Sequence, residues 1–279
     1  MPTMQVKGAE IHYRDEGAGE PVVLVHSSAC SSSQWDKLIA DLGPGYRVLA
    51  PDLHGYGQSE FWSGRGPITL ADEAAVVERM IALCDQPVHL VGHSYGGAVA
   101  LKVSRDAAPS IRSLTLVEPV ALHLLRGSDS DGAECFSEIR AVADHVAGGV
   151  AIGDYQGAMA RFVDYWNGPD AWSRLSERKQ GALAKAAPKV ALDFWAITSE
   201  QASLQDYGHV DVPTLLLCGE ASPLPTRRIT ALLGGALPGA RVQVVGGAGH
   251  MLPLTHPERV NPLITEHLQG VAACARLAA

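Results

Sequence analysis

The chain is poor in the features that mark several functional classes. Its five cysteines, Cys30, Cys84, Cys135, Cys218 and Cys274, are scattered and odd in number, and no two stand in a CxxC spacing. A disulfide framework and a structural zinc site are therefore not expected, and a reducing, cytoplasmic environment is. No uninterrupted apolar run reaches the about 18 residues that a membrane span requires. The opening MPTMQVKGAE has no basic start followed by an apolar stretch, so no signal peptide is expected. Lys and Arg total 22 against 30 Asp and Glu, a net charge of −8 with histidine neutral, and no basic run interrupts that balance. Such a chain lacks the positive patch that grips phosphate backbones, which argues against nucleic acid as a partner.

What the chain does have is apolar material. Hydrophobic residues are 47% of 279 and charged residues 19%, enough for a large core and too apolar for global disorder. The length allows one domain or two. Residues 4–15 alternate apolar and polar side chains and lead into a turn at Glu16-Gly17-Ala18-Gly19, the pattern of an antiparallel hairpin. Short continuous apolar runs follow at 22–25, 48–50, 88–91, 114–117, 215–217 and 242–245, as strands buried on both faces should read. Helical patterns lie between most of them, at 70–83, opened by Thr69 with Asp72 three residues on, and at 98–103 and 229–237. Strands alternating with helices predict an α/β fold with a mostly parallel sheet covered on both sides.

One region breaks the alternation. Residues 122–205 contain no strand pattern and instead carry helical stretches with Phe162, Tyr165, Trp166, Trp172, Phe194 and Trp195. So long an interruption predicts an inserted helical subdomain rather than a loop. The division expected is a core of residues 1–120 and 206–279 with a cap of 121–205. Single aromatics there can serve simply to hold the insert together; collectively they are candidates for the wall of an apolar pocket at the carboxyl edge of the sheet, Trp166 and Trp195 among them.

The sharpest chemical signal is Gly92-His93-Ser94-Tyr95-Gly96, a G-x-S-x-G placed between a strand and a helix. A serine on so sharp a turn needs neighbours without colliding side chains two residues either side, and Gly92 and Gly96 meet that need. The helix N-terminus that follows offers free N–H groups to a developing oxyanion, the Tyr95 amide first. A serine hydroxyl is not nucleophilic at neutral pH without a base. His250, on the Gly-rich loop Gly246-Gly247-Ala248-Gly249 after the last apolar run, can reach across from a neighbouring strand. His93 should point away from the nucleophile because adjacent strand residues alternate. His26-Ser27-Ser28-Ala29, leaving the first buried strand, can supply a second amide to the oxyanion, and His26 and Ser28 are taken as substrate contacts. Cys30 has no obvious base beside it and is read as a small pocket-lining residue.

These pieces, with Asp52-Leu53-His54-Gly55-Tyr56-Gly57-Gln58-Ser59, occur in an order that resembles the α/β-hydrolase superfamily over nearly the whole chain, the insert standing where that family carries its cap. The resemblance implies a serine hydrolase with an oxyanion hole of Ser27 and Tyr95, Ser27 replacing a common glycine, and with Asp52 as a structural turn-former. It also implies an acid, often an aspartate in Gly-x-x-Asp after the cap. Here that stretch is Gly219-Glu220-Ala221-Ser222, and Ser222 cannot supply the charge. Some relatives place the acid at the end of the strand after the nucleophile helix, where this chain has Glu118. The catalytic set expected is thus Ser94, His250 and Glu118, with Glu220 or a dyad as alternatives.

The resulting expectation is hydrolysis of a small or medium, largely apolar carboxylic ester. Carbon–carbon bond hydrolysis of a diketone-like substrate and a weakly catalytic receptor on a hydrolase shell are the other readings. No metal and no cofactor is implied. The partner is a small-molecule substrate rather than nucleic acid or membrane, and homodimer formation is left open.

Overall fold

The apolar runs become strands of a single eight-stranded sheet in a computed structural model that describes residues 1–278, with side-chain environments through 273. Strands β1 (Thr3–Val6) and β2 (Ala9–Gly17) form the expected antiparallel hairpin, turned at Lys7 and Gly8. There follow β3 (Glu20–Val25), helix α1 (Asp36–Leu42), β4 (Tyr46–Pro51), α2 (Leu70–Ile81), β5 (Val88–His93), α3 (Tyr95–Asp106) and β6 (Ile111–Val117). Four helices then intervene: α4 (Ser130–Ile152), α5 (Tyr155–Asn167), α6 (Glu177–Ala184) and α7 (Ala187–Ser199). The chain closes with β7 (Thr214–Gly219), α8 (Leu224–Ala236), β8 (Arg241–Val245), the short α9 (Leu252–Thr255) and α10 (Pro257–Ala278). The alanine-rich tail 273–279 reads from sequence as a fraying helix end; its side chains from 274 onward lie outside those described.

The sheet order is β1-β2-β4-β3-β5-β6-β7-β8, parallel from β4 to β8 and antiparallel where β2 meets β4. Period-two alternation divides the buried strand residues between two layers. Val22, Leu24, Val91, Val117, Leu215 and Leu217 pack against Leu38 and Leu42 of α1 and against Val260, Ile264 and Leu268 of α10. Val23, Val25, Leu90, Leu114, Leu116 and Leu216 face α2, α3 and α8. Each such side chain contributes about 1.5–3 kcal/mol by leaving water. Helix α2 opens with a complete capping box: Thr69 accepts from the Asp72 amide, and the Asp72 carboxylate accepts from the Thr69 amide at 3.0 Å.

The insert between β6 and β7 is helical, as expected. Asp129 and Asp154 accept the free amides at the starts of α4 and α5, so each helix is capped by its own sequence. Ile139, Val142, Met159, Val190, Phe194 and Ile197 join the same apolar cluster as the α2, α3 and α8 layer. The chain leaves β3 for β4 on one side and returns to β5 on the other, so the crevice at the carboxyl ends of β3 and β5 lies where strand order reverses. The loops carrying Ser28 and Ser94 both open there. Among the described residues, no helix is long and apolar enough to cross a membrane.

Candidate active site

The turn that carries Ser94 is sterically forced. Ser94 has φ +55° and ψ −116°, a conformation that side chains rarely adopt, between the last residue of β5 and the first of α3. A Cβ on Gly92 would sit 2.3 Å from the Gly96 carbonyl, and one on Gly96 would sit 2.4 Å from the carbonyls of Val25 and His26. Only glycine allows that approach. Backbone bonds hold the turn from the next strand: the Ser94 amide donates to Val117 at 3.0 Å, and the Ser94 carbonyl accepts from Val120 at 3.1 Å.

The structure brings Ser94, His250 and Glu118 into one chain of hydrogen bonds. His250 Nε2 lies 2.8 Å from Ser94 Oγ, and His250 Nδ1 lies 2.7 Å from Glu118 Oε2. A carboxylate can only accept, so Nδ1 carries the proton and Nε2 is the free base facing the serine. Glu118 is fully buried at the end of β6, with φ +45°. Its other oxygen accepts from the Gly219 amide at 2.6 Å and from the Ser222 hydroxyl. Burial pushes the Glu118 pKa up, but the bonds from His250, Ser222 and Gly219 outweigh it and hold the carboxyl below its ordinary value. Ser222 therefore donates to the acid on the neighbouring strand. Glu220 does not reach His250; it accepts from the Gly247 amide at 2.8 Å and steadies the histidine loop.

His93, expected to point away from Ser94, makes its contact with His250. Its Nε2–H donates to the His250 carbonyl at 2.9 Å, and the two rings lie 5.3 Å apart. Burial first, and then the proximity of His250, push its pKa down to about 3, so it stays a neutral donor. Trp166 of α5 also stacks on His250, at 4.0 Å between ring centroids and 28° between planes.

The oxyanion loop also requires correction. The Ser27 amide is already committed to Gln34 Oε1 at 3.0 Å, with the Ser27 hydroxyl on the same oxygen at 2.8 Å. Ser27 cannot offer that N–H to a substrate. The Ser28 amide, one residue on, makes no hydrogen bond among the described residues, and neither does the Tyr95 amide at the start of α3. His26 is not a substrate contact. It is fully buried, its Nδ1–H donates to the Ser27 carbonyl at 2.7 Å, and its Nε2 accepts from the Leu53 amide at 3.0 Å. Asp52 is the turn-former expected, accepting from the amides of Ser32 at 2.7 Å and Gln58 at 3.0 Å.

A cavity of about 240 Å³ opens over Ser94 and His250, walled by Phe162, Trp166, Leu175, Leu183 and Met251 and floored by Ser28. Cys30 lines it, as expected, and burial pushes its thiol up. Trp195 does not line it: its side chain is 53% exposed on the outer face of α7. A narrow extension runs from Ser94 past Val120, Val190 and Ile197 to Asp193.

Asp193 belongs to a buried polar cluster that the sequence reading did not single out. Lys189, four residues earlier on α7, pairs with it and, at 3.0 Å, with Glu73 of α2. Glu73 also accepts from His54 Nδ1 at 3.0 Å, and the Tyr56 hydroxyl donates to Asp193. Lys189 lies over the rings of Tyr56 and Tyr95, 4.6 and 4.9 Å from their centroids. Burial pushes the Lys189 pKa down, but Asp193 and Glu73 outweigh it and keep the ammonium charged. The signal was present in the sequence as two charges spaced i, i+4 inside the apolar stretch Lys189-Val190-Ala191-Leu192-Asp193.

Comparison with known proteins agrees with this architecture. The family model described as "Alpha/beta hydrolase family" matches residues 22–263. A non-heme haloperoxidase of Rhodococcus erythropolis is 31% identical over 268 residues, covering 91% of this chain and 94% of its own. A non-heme chloroperoxidase of Streptomyces lividans is 30% identical over 275 residues, covering 91% and 94%. Among solved structures, an alpha/beta hydrolase from Sphaerobacter thermophilus superposes with a TM-score of 0.75 at 20% identity, covering 96% of this chain and all of the other.

Proposed function

This chain belongs to the alpha/beta hydrolase family, and from that premise we propose that it is a serine hydrolase cleaving a small or medium, largely apolar carboxylic ester. The observation that carries the reading is the unbroken line Ser94 Oγ, His250 Nε2, His250 Nδ1, Glu118 Oε2, with separations of 2.8 and 2.7 Å. His250 takes the Ser94 proton as Oγ attacks the ester carbonyl, and Glu118 stabilises the imidazolium that forms. The carbonyl electrons move onto oxygen, to which the amides of Ser28 and Tyr95 donate hydrogen bonds. Collapse of the tetrahedral adduct expels the alcohol, protonated by His250, and leaves an acyl group on Ser94. Water, deprotonated by His250, then attacks the acyl carbon, and Ser94 leaves with the proton returned.

The apolar wall of Phe162, Trp166 and Leu175 supports an apolar substrate group, and the 240 Å³ volume supports one of modest size. Residues 121–205 act as the cap that closes this pocket over a core of 1–120 and 206–279. A second reading, perhydrolysis, draws on the names of the haloperoxidase relatives. In it hydrogen peroxide replaces water in the second step, releasing a peracid from the same acyl-enzyme. A panel of aryl esters from acetate to octanoate tests the main reading. Turnover of the shorter esters that is abolished in Ser94→Ala supports it, and equal rates in wild type and Ser94→Ala reject it.

A further inference from the structure

We propose that Asp193, on cap helix α7, is a positioning residue for the oxyanion hole: it holds the Ser28 hydroxyl and so fixes the Ser28 amide toward Ser94. The proposal rests on the reading of Ser94 as the nucleophile.

The loop after β3 is pinned by the core at most of its points. Ser27 hangs on Gln34 Oε1 through both its amide and its hydroxyl. Its carbonyl accepts from His26 Nδ1 at 2.7 Å and from the Cys30 amide at 3.3 Å. Ser32 is tied to Asp52. Ser28 lies between these anchors and beside Ala29, whose backbone is held at φ +56°. The hold on the Ser28 side chain comes from the cap, where its hydroxyl donates to Asp193 Oδ2 from 165 residues away in sequence.

Asp193 is in turn immobilised. Tyr56, in the loop after β4, donates to the same oxygen that receives Ser28, and Lys189 grips the other while also pairing with Glu73 of α2. Ser28, Ser94 and Asp193 line one narrow cavity, so the carboxylate enters the pocket at the point where the oxyanion loop meets the nucleophile. Cap docking alone does not require this. The Lys189–Glu73 pair and the apolar contacts of Val190, Phe194 and Ile197 already join α7 to the core. What Asp193 adds is a bond to the residue whose amide is free to receive the oxyanion. The oxyanion hole is thereby completed by a residue of the insert.

Ser28→Ala tests this directly, because it removes the hydroxyl, keeps the amide and leaves the Lys189, Glu73, Tyr56 and Asp193 contacts intact. One oxyanion donor contributes about 10²–10³ in kcat, so displacing rather than deleting it should cost about tenfold. We expect Ser28→Ala and Asp193→Asn each to lower kcat on an aryl acetate by about that factor with KM little changed; the melting temperature should hold in Ser28→Ala and fall in Asp193→Asn, which also weakens the buried Lys189 pair. The double variant should be no slower than the slower single, since the Ser28–Asp193 bond they share can be lost only once. Binding of an aryl trifluoromethyl ketone, which forms a tetrahedral adduct, should weaken by the same factor, and Ser28→Thr should recover most of the rate. Wild-type kcat in Ser28→Ala, or losses that multiply in the double variant, would overturn the assignment. A wild type inert toward every ester would instead overturn the nucleophile reading beneath it.

Discussion

Glu118 is the residue whose replacement interrogates the site most sharply. In Glu118→Gln the amide oxygen can keep the two bonds that Oε1 now accepts, from Gly219 at 2.6 Å and from Ser222. The NH2 group then faces His250 Nδ1 in place of the oxygen 2.7 Å away. Two donors cannot share that contact, so Nδ1 must give up its proton and Nε2 must carry it. The nitrogen 2.8 Å from Ser94 Oγ becomes a donor and cannot act as the base. The imidazolium formed during attack also loses its counter-charge in a fully buried site. A triad with the wrong tautomer loses about 10⁴-fold in kcat, and general-base catalysis as a whole is worth about 10²–10⁴. We therefore expect a fall of about 10³–10⁴-fold, or about 4–5 kcal/mol of activation free energy, with KM changed little. Steady-state hydrolysis of an aryl acetate measures it, and circular dichroism confirms the fold. The acid should also be transplantable, because Ser222 already touches Glu118. Glu118→Gly combined with Ser222→Asp should regain much of what Glu118→Gly loses. If Glu118→Gln stays within tenfold of wild type while Glu220→Gln is inactive, the assignment of the acid is wrong.

Two further outcomes follow from the buried charges and histidines. Lys189→Met leaves Glu73 and Asp193 buried without their cation, and breaking such a pair costs about 3–5 kcal/mol, so chemical denaturation should show a lowered midpoint. His123 and His93 are buried with pKa values pushed down by burial, to about 4 and about 3 respectively. Below the ordinary histidine value the unfolded chain takes up protons that the folded protein refuses. Stability is therefore full above pH 6.5 and falls as pH drops toward 4, by about 1.4 kcal/mol per pH unit for each such group. Urea unfolding at pH 7 and pH 5 reads this loss, and His123→Gln should reduce it; an unchanged slope would contradict the account.

The elbow could be read from sequence because its constraint is local: a serine at φ +55° needs Gly92 and Gly96 within two residues. Glu118 could be read from what the Gly219–Ser222 stretch lacks, and the structure supplies the complement, a Ser222 hydroxyl turned onto that carboxylate. The engagement of the Ser27 amide was not legible, because an amide's direction depends on a distant acceptor, and Gln34, seven residues on, captures the Ser27 N–H. Trp195 failed for a different reason. It adjoins Phe194 on a helix, where neighbours diverge by about 100°, so only one of the two can face the pocket. Phe162 and Trp166, four apart on α5, share a face and both line it. The Lys189–Asp193–Glu73–Tyr56 cluster joins three separate elements, and its contacts follow from how the cap docks, which no local pattern encodes.

Covalent labelling at Ser94 tests the central claim most directly. Wild-type protein treated with a fluorophosphonate should gain one phosphonyl adduct by intact mass, mapped by peptide sequencing to Ser94, while Ser94→Ala gains none and Glu118→Gln reacts far more slowly. A wild type that stays unmodified, or an adduct on another residue that persists in Ser94→Ala, would contradict it.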